Sequence, residues 1–240
     1  MRGAHDKSSQ SDNRTRRFPR GSLCTAALAL AFASCLISRP APAEAPRIEP
    51  AVLQDLLKGP FALPAGTQPI PATGTAQPTA AWTEFCRRLP RECAVDTRER
   101  SVIELTREVW ATLVRVNLEV NTTIRPLTDR AHWNVEDRWD FPDDGMGDCE
   151  DYQLLKRRKL VEAGLPRRAL LMTVVIDDEK AGHAVLMVRT DRGDFILDNK
   201  RDAILPWNDT GYAFVKREGQ DSLAWASLEP LPSPIVTANR

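Results

Sequence analysis

Three apolar runs in the C-terminal half set what this chain can fold into. ALLMTVVID (169–177), HAVLMVRT (183–190) and DFILDNK (194–200) are short, aliphatic and strand-like. Asp191-Arg192-Gly193 supplies a tight turn between the last two. YAFVKRE (212–218) and SLAWASL (222–228) suggest another hairpin. Helical patterns precede them. Within 97–120, Val102, Leu105, Val109, Leu113, Val116 and Val120 recur at spacings of three and four, which predicts one apolar stripe packed on a core. A second helix is expected from Asp148 to Ala163. Asp148 serves as its N-cap, Lys156, Arg157, Arg158 and Lys159 suit the C-terminal end of its dipole, and Gly164 and Pro166 stop it. Helices first and antiparallel strands after is the order of an α+β domain.

The flanks differ in composition. A basic stretch with Lys7, Arg14, Arg16, Arg17 and Arg20 leads into the apolar run 23–37, followed by Ala41-Pro42-Ala43. This predicts a signal peptide over 1–43, since the apolar run is short for a membrane span of about 20 residues. Export then places the mature protein in the periplasm or outside the cell. Residues 44–80 are rich in Pro, Ala, Gly and Thr and are expected to form a linker or loose arm, and 229–240 a disordered tail. One domain of ordinary size, 81–228, lies between them. With 33 basic and 33 acidic residues, charge offers nothing to nucleic acid or to a membrane surface.

Five cysteines become three once the leader is removed. Cys86 and Cys93, with six residues between them in FCRRLPREC, make a plausible disulfide in an oxidising compartment. Cys149 is left over in GDCEDY, between carboxylates that disfavour a thiolate. An unpaired cysteine in an exported protein needs a reason, and there is no second Cys or His nearby at zinc-ligand spacing.

Histidine is scarce in the mature chain, which holds only His132 and His183. With a two-residue turn at Asp191-Arg192, paired strand positions sum to 383. His183 and Asp198 are then diagonal neighbours on one face. A three-residue turn would send Asp198 to the other face. In the first register, Cys149 at a helix N-terminus, His183 as base and Asp198 as orienter make a Cys-His-Asp nucleophilic constellation. His132, beside Trp133 in the long loop 121–147, is the competing base. Asp148 and Glu150 are expected to face away from the sulfur. The acids of this segment either hold Ca²⁺ together with loop carbonyls or simply form a solvated acidic first turn.

GDCEDY before a helix, then GHAVLMV, then FILDN, resembles the bacterial transglutaminase-like cysteine peptidases, the LapG-type exported proteases. TDRAHWNVEDRWDFPDDG resembles that family's approach to its cysteine, and the likeness covers roughly 81–228. The resemblance implies a papain/transglutaminase-like core with N-terminal helices packed on an antiparallel sheet. It implies a triad of Cys149, His183 and Asp198. It also implies Ca²⁺ dependence, with Asp148 and Glu150 as ligands and Asp151 as a further candidate. The adhesin-cleaving members cut giant surface adhesins and are held by an inner-membrane receptor that responds to cyclic-di-GMP. FCRRLPREC departs from those members and suggests a separate branch. The expected activity is peptide hydrolysis of a protein substrate. The alternatives are a transglutaminase, or a Ca²⁺-binding interaction module with a vestigial triad.

Overall fold

The computed structural model describes residues 63–228. The expected signal peptide, residues 44–62 of the linker and the tail 229–240 lie outside the described residues. Helix α1 (Ala80–Arg88) and the single turn α2 (Pro90–Cys93) come first, then α3 (Arg107–Thr123), the short α4 (Asp129–His132) and α5 (Cys149–Glu162). The strands are β1 (Gly74–Ala76), β2 (Arg125–Pro126), β3 (Met146–Gly147), β4 (Leu170–Ile176), β5 (Gly182–Thr190), β6 (Gly193–Leu197), β7 (Leu205–Pro206), β8 (Ala213–Glu218) and β9 (Trp225–Ser227). Seven of them form one sheet in the order β1-β9-β8-β4-β5-β6-β7, antiparallel throughout. β2 and β3 make a small parallel pair. The α+β reading holds.

The unbroken apolar runs of the strands are explained by burial on both faces. Leu170, Met172, Val174, Leu186, Val188, Phe195 and Leu197 meet Leu113, Val116 and Val120 of α3 and Leu154 and Leu160 of α5 in the main core. The alternate positions Leu171, Val175, Val185, Met187 and Ile196 pack with Ile70, Phe214 and Leu228 in a second one. One buried carboxylate ties the first core together. Glu218 accepts from Arg157 at 2.7 Å, Arg167 at 3.0 Å, the indole of Trp82 at 3.1 Å and the backbone N–H of Met172 at 2.9 Å. An ion at such depth is tolerable because every oxygen is met by donors.

The turn at Asp191-Arg192 pairs Thr190 with Gly193 and Leu186 with Leu197, the register that puts His183 and Asp198 on one face. The helix expected from residue 97 begins ten residues later, at Arg107, capped by the Thr106 side chain. The preceding segment instead bonds the β5–β6 hairpin, with Ile103 N–H donating to the Arg189 carbonyl and Asp191 N–H to the Ile103 carbonyl, both at 2.9 Å. Ile103 and Leu105 are thereby buried while Val102, on the expected stripe, is exposed.

The C-terminal part of the expected linker is built into the domain. Thr67 N–H donates to the Arg192 carbonyl at 2.8 Å, Ile70 is buried with its N–H on Asp194 at 2.9 Å, and β1 extends the sheet beside β9. Backbone pairing does not depend on side-chain composition, so a Pro- and Thr-rich segment can still serve as an edge strand. Cys86 and Cys93 are bonded, Cα atoms 5.6 Å apart, which closes α1 onto α2.

Candidate active site

The start of α5 is fixed by its own sequence. A Cβ on Gly147 would fall 2.6 Å from Oδ2 of Asp151, so glycine is what lets the Asp151 side chain fold back on the helix start. The acids then organise the loop before them. Asp129 N–H donates to Asp148 at 3.1 Å and Asp140 N–H to Asp151 at 2.8 Å.

Cys149 is buried and packs on Ala184. Ala184 follows His183 on β5. Glu150 does not face away from the sulfur as expected, because its Oε2 accepts the thiol at 3.1 Å. Burial, the charge of Glu150 and the charge of Asp148 together push the thiol well above its ordinary range.

His183 Nε2 lies 2.8 Å from Asp198 Oδ1. Asp198 also accepts Lys200 N–H at 3.0 Å and Tyr212 O–H at 2.7 Å. Burial opposes ionisation of Asp198, but the hydrogen bond and charge of His183, with these two donors, pull its carboxyl down to about 2. An ionised carboxylate only accepts, so Nε2 carries the shared proton and Nδ1 keeps the lone pair needed by a base. The Tyr212 ring stands edge-on to His183 at 5.9 Å. His132 is engaged elsewhere, bonded to Asp144 at 2.8 Å and stacked on Trp133.

Residues 72–231 match the family described as bacterial transglutaminase-like cysteine proteinase, BTLCP. The chain belongs to this family. It is a cysteine peptidase with a transglutaminase-like fold. Among solved structures, calcium-bound LapG of Legionella pneumophila is similar at 24% identity and a TM-score of 0.44, covering 64% of this chain and 92% of its own. The EGTA-treated form of that protein is similar at 24% identity and 0.43, covering 62% and 87%. No curated protein matches the chain.

The peptidase gathers five carboxylates beside its cysteine. Asp129, Asp148 and Asp151 form one group and Asp129, Asp137 and Glu150 another, with ligand atoms within 4.8 Å of one another in each. Burial first, and then the neighbouring acids, push Asp137 up to about 7, Asp148 to about 6 and Asp151 to about 9, and raise Glu150 and Asp129 as well. Asp137 Oδ1, Asp148 Oδ1 and Glu150 Oε1 are buried with no donor. Converging carboxylates with unmet oxygens suit a hard, oxygen-seeking cation. Asp151 suits the role less, since its two oxygens already accept from Asp140 and Asp148.

Asp129 and Asp137 were not singled out from the sequence. Both lie in TDRAHWNVEDRWD, where only the clustering of acids gave a signal. Tyr212 was missed as well, because nothing local marks a tyrosine just before a strand as an aspartate's partner.

Proposed function

We propose that the peptidase works through Cys149, His183 and Asp198. His183 Nδ1 takes the thiol proton and the sulfur attacks a peptide carbonyl. The imidazolium returns the proton to the leaving amine, and a water activated by the same nitrogen then hydrolyses the thioester. Asp198 holds the tautomer and ring orientation throughout. The observation that carries this reading is the His183–Asp198 hydrogen bond, with Cys149 packed on the residue next to that histidine. Asp137, Asp148 and Glu150, with Asp129, would hold Ca²⁺. That charge would neutralise the carboxylates now raising the thiol's pKa. The substrate is a protein. A giant surface adhesin, presented under an inner-membrane receptor, is the candidate that the family resemblance supplies. An exported location, periplasmic or secreted, is supported by the leader pattern and the Cys86–Cys93 bond.

Alkylation of Cys149 by iodoacetamide, in wild type and His183→Ala, with Ca²⁺ and with EGTA, tests this. Fast labelling that falls on removal of His183 and again with EGTA is expected. Labelling no faster than a free cysteine peptide in every condition would overturn the reading and leave a Ca²⁺-binding module. Incorporation of an amine in place of water would make the enzyme a transglutaminase.

A further inference from the structure

Asp198 sits at the head of a loop, residues 198–202, that runs behind the site and is gripped from the helical side by three amides. From α3, Asn121 Nδ2 donates to the Asp198 carbonyl at 2.9 Å and to Asp202 Oδ1 at 3.0 Å, and Asn117 Nδ2 to the Asp202 carbonyl at 3.0 Å. From α5, Gln153 Nε2 donates to Asn199 Oδ1 at 3.2 Å. One turn further along α5 stands Lys156, with no solvent exposure.

The polar inventory of this clamp is unbalanced in a particular way. Lys156 Nζ, with three N–H donors, has no acceptor within bonding distance, while Asn117 Oδ1, Asn121 Oδ1 and Gln153 Oε1 are buried without a donor. All four atoms belong to the α3–α5 face that holds the loop. Burial draws the ammonium down to about 7 against the pull of Asp198 first and Asp202 second. A buried lysine without an ion-pair contact is destabilising relative to a leucine or methionine of similar volume. Packing alone gives no reason to keep it. The groups whose charge reaches it are Asp198 and Asp202, the two ends of the gripped loop. The loop's own cations are spent elsewhere, Lys200 on Asp177 and Arg201 on the Thr210 carbonyl.

We propose that Lys156 is a positioning residue for the peptidase: its buried ammonium, one helical turn beyond the Gln153 amide that grips the loop, holds the 198–202 loop by charge and so fixes Asp198 on Nε2 of His183. This rests on the Cys149–His183–Asp198 reading, and it assigns to the turn of α5 beyond the cysteine a part in that site. Removing the hold loosens Asp198 and leaves the histidine free to tip.

The test compares wild type, His183→Ala and Lys156→Met as purified mature proteins at pH 6, where the lysine is charged. Two quantities are read: the iodoacetamide rate at Cys149 and the downfield proton NMR signal of His183 Nε2–H. Lys156→Met is expected to melt at or above the wild-type temperature, since it removes an unpaired buried charge. It should nevertheless lose about tenfold in alkylation rate, on the scale by which small misplacements affect catalysis, and its Nε2–H signal should broaden or move upfield. A structural role alone would lower the melting temperature and leave the signal of the folded fraction in place. If His183→Ala slows labelling while Lys156→Met matches wild type in rate and signal, the lysine's role is overturned and the triad stands. If His183→Ala labels as wild type does, both fail together. Lys156→Gln, with the same readouts, decides the matter should the methionine variant not fold.

Discussion

At the scale of single residues, Asp198 has the clearest consequence that can be measured. Its folded pKa, about 2, lies below the ordinary value of roughly 3.9 for an aspartate. A depressed carboxylate stabilises the fold above the ordinary value and loses that contribution as pH falls toward the folded one. The contribution at neutral pH is of order 2 kcal/mol and should shrink by about half at pH 3. Urea midpoints of wild type and Asp198→Asn should therefore differ most near pH 6 and converge as the solution is acidified; a gap that stays constant to pH 3 would contradict the pairing with His183. The acids around Cys149 teach something different about legibility. GDCEDY marks the cysteine and three of its acidic neighbours, because those residues are close in sequence. Asp129 and Asp137 reach the same place only through the path of a loop whose backbone is tied to Asp148 and Asp151, and no local pattern encodes that path.

Among the elements, the β5–β6 hairpin carries the site. Its two-residue turn was readable, and with it the face shared by His183 and Asp198, because strand periodicity leaves only two registers. What the turn needs sterically was not readable. Gly193 has φ of +106°, and a Cβ there would lie 2.6 Å from the Thr67 carbonyl oxygen. Gly193→Ala should cost roughly 2–3 kcal/mol in denaturant unfolding, through backbone strain together with the displaced 67–70 segment. A cost below about 0.5 kcal/mol would mean that the segment and the turn are independent. The late start of α3 has the same origin. The apolar pattern before Thr106 is real, but it serves contacts with the hairpin, and a single-helix reading cannot distinguish the two uses of buried Ile103 and Leu105.

For the whole molecule, the proposed Ca²⁺ site would couple stability to cations. At a hundredfold excess over its dissociation constant, Ca²⁺ bound there should add about 2.7 kcal/mol, read as a rise in melting temperature that EGTA reverses. Asp137→Asn should melt higher than wild type in EGTA, because one of five crowded acids is gone, yet gain little from Ca²⁺. An equal Ca²⁺ response in that variant would remove Asp137 from the site. The same core also dictates an order of assembly. Glu218 stands near the end of the described residues on β8, which lies between β9 and β4 in the sheet, and its carboxylate pairs with the buried guanidinium of Arg157, which also donates to the Glu92 carbonyl. A chain emerging N-terminus first presents Arg157, Arg167 and Trp82 long before that carboxylate arrives, so the core cannot close on a partial chain. A chain truncated before β8 is therefore expected to leave the guanidinium of Arg157 without its carboxylate and the sheet that carries His183 and Asp198 incomplete.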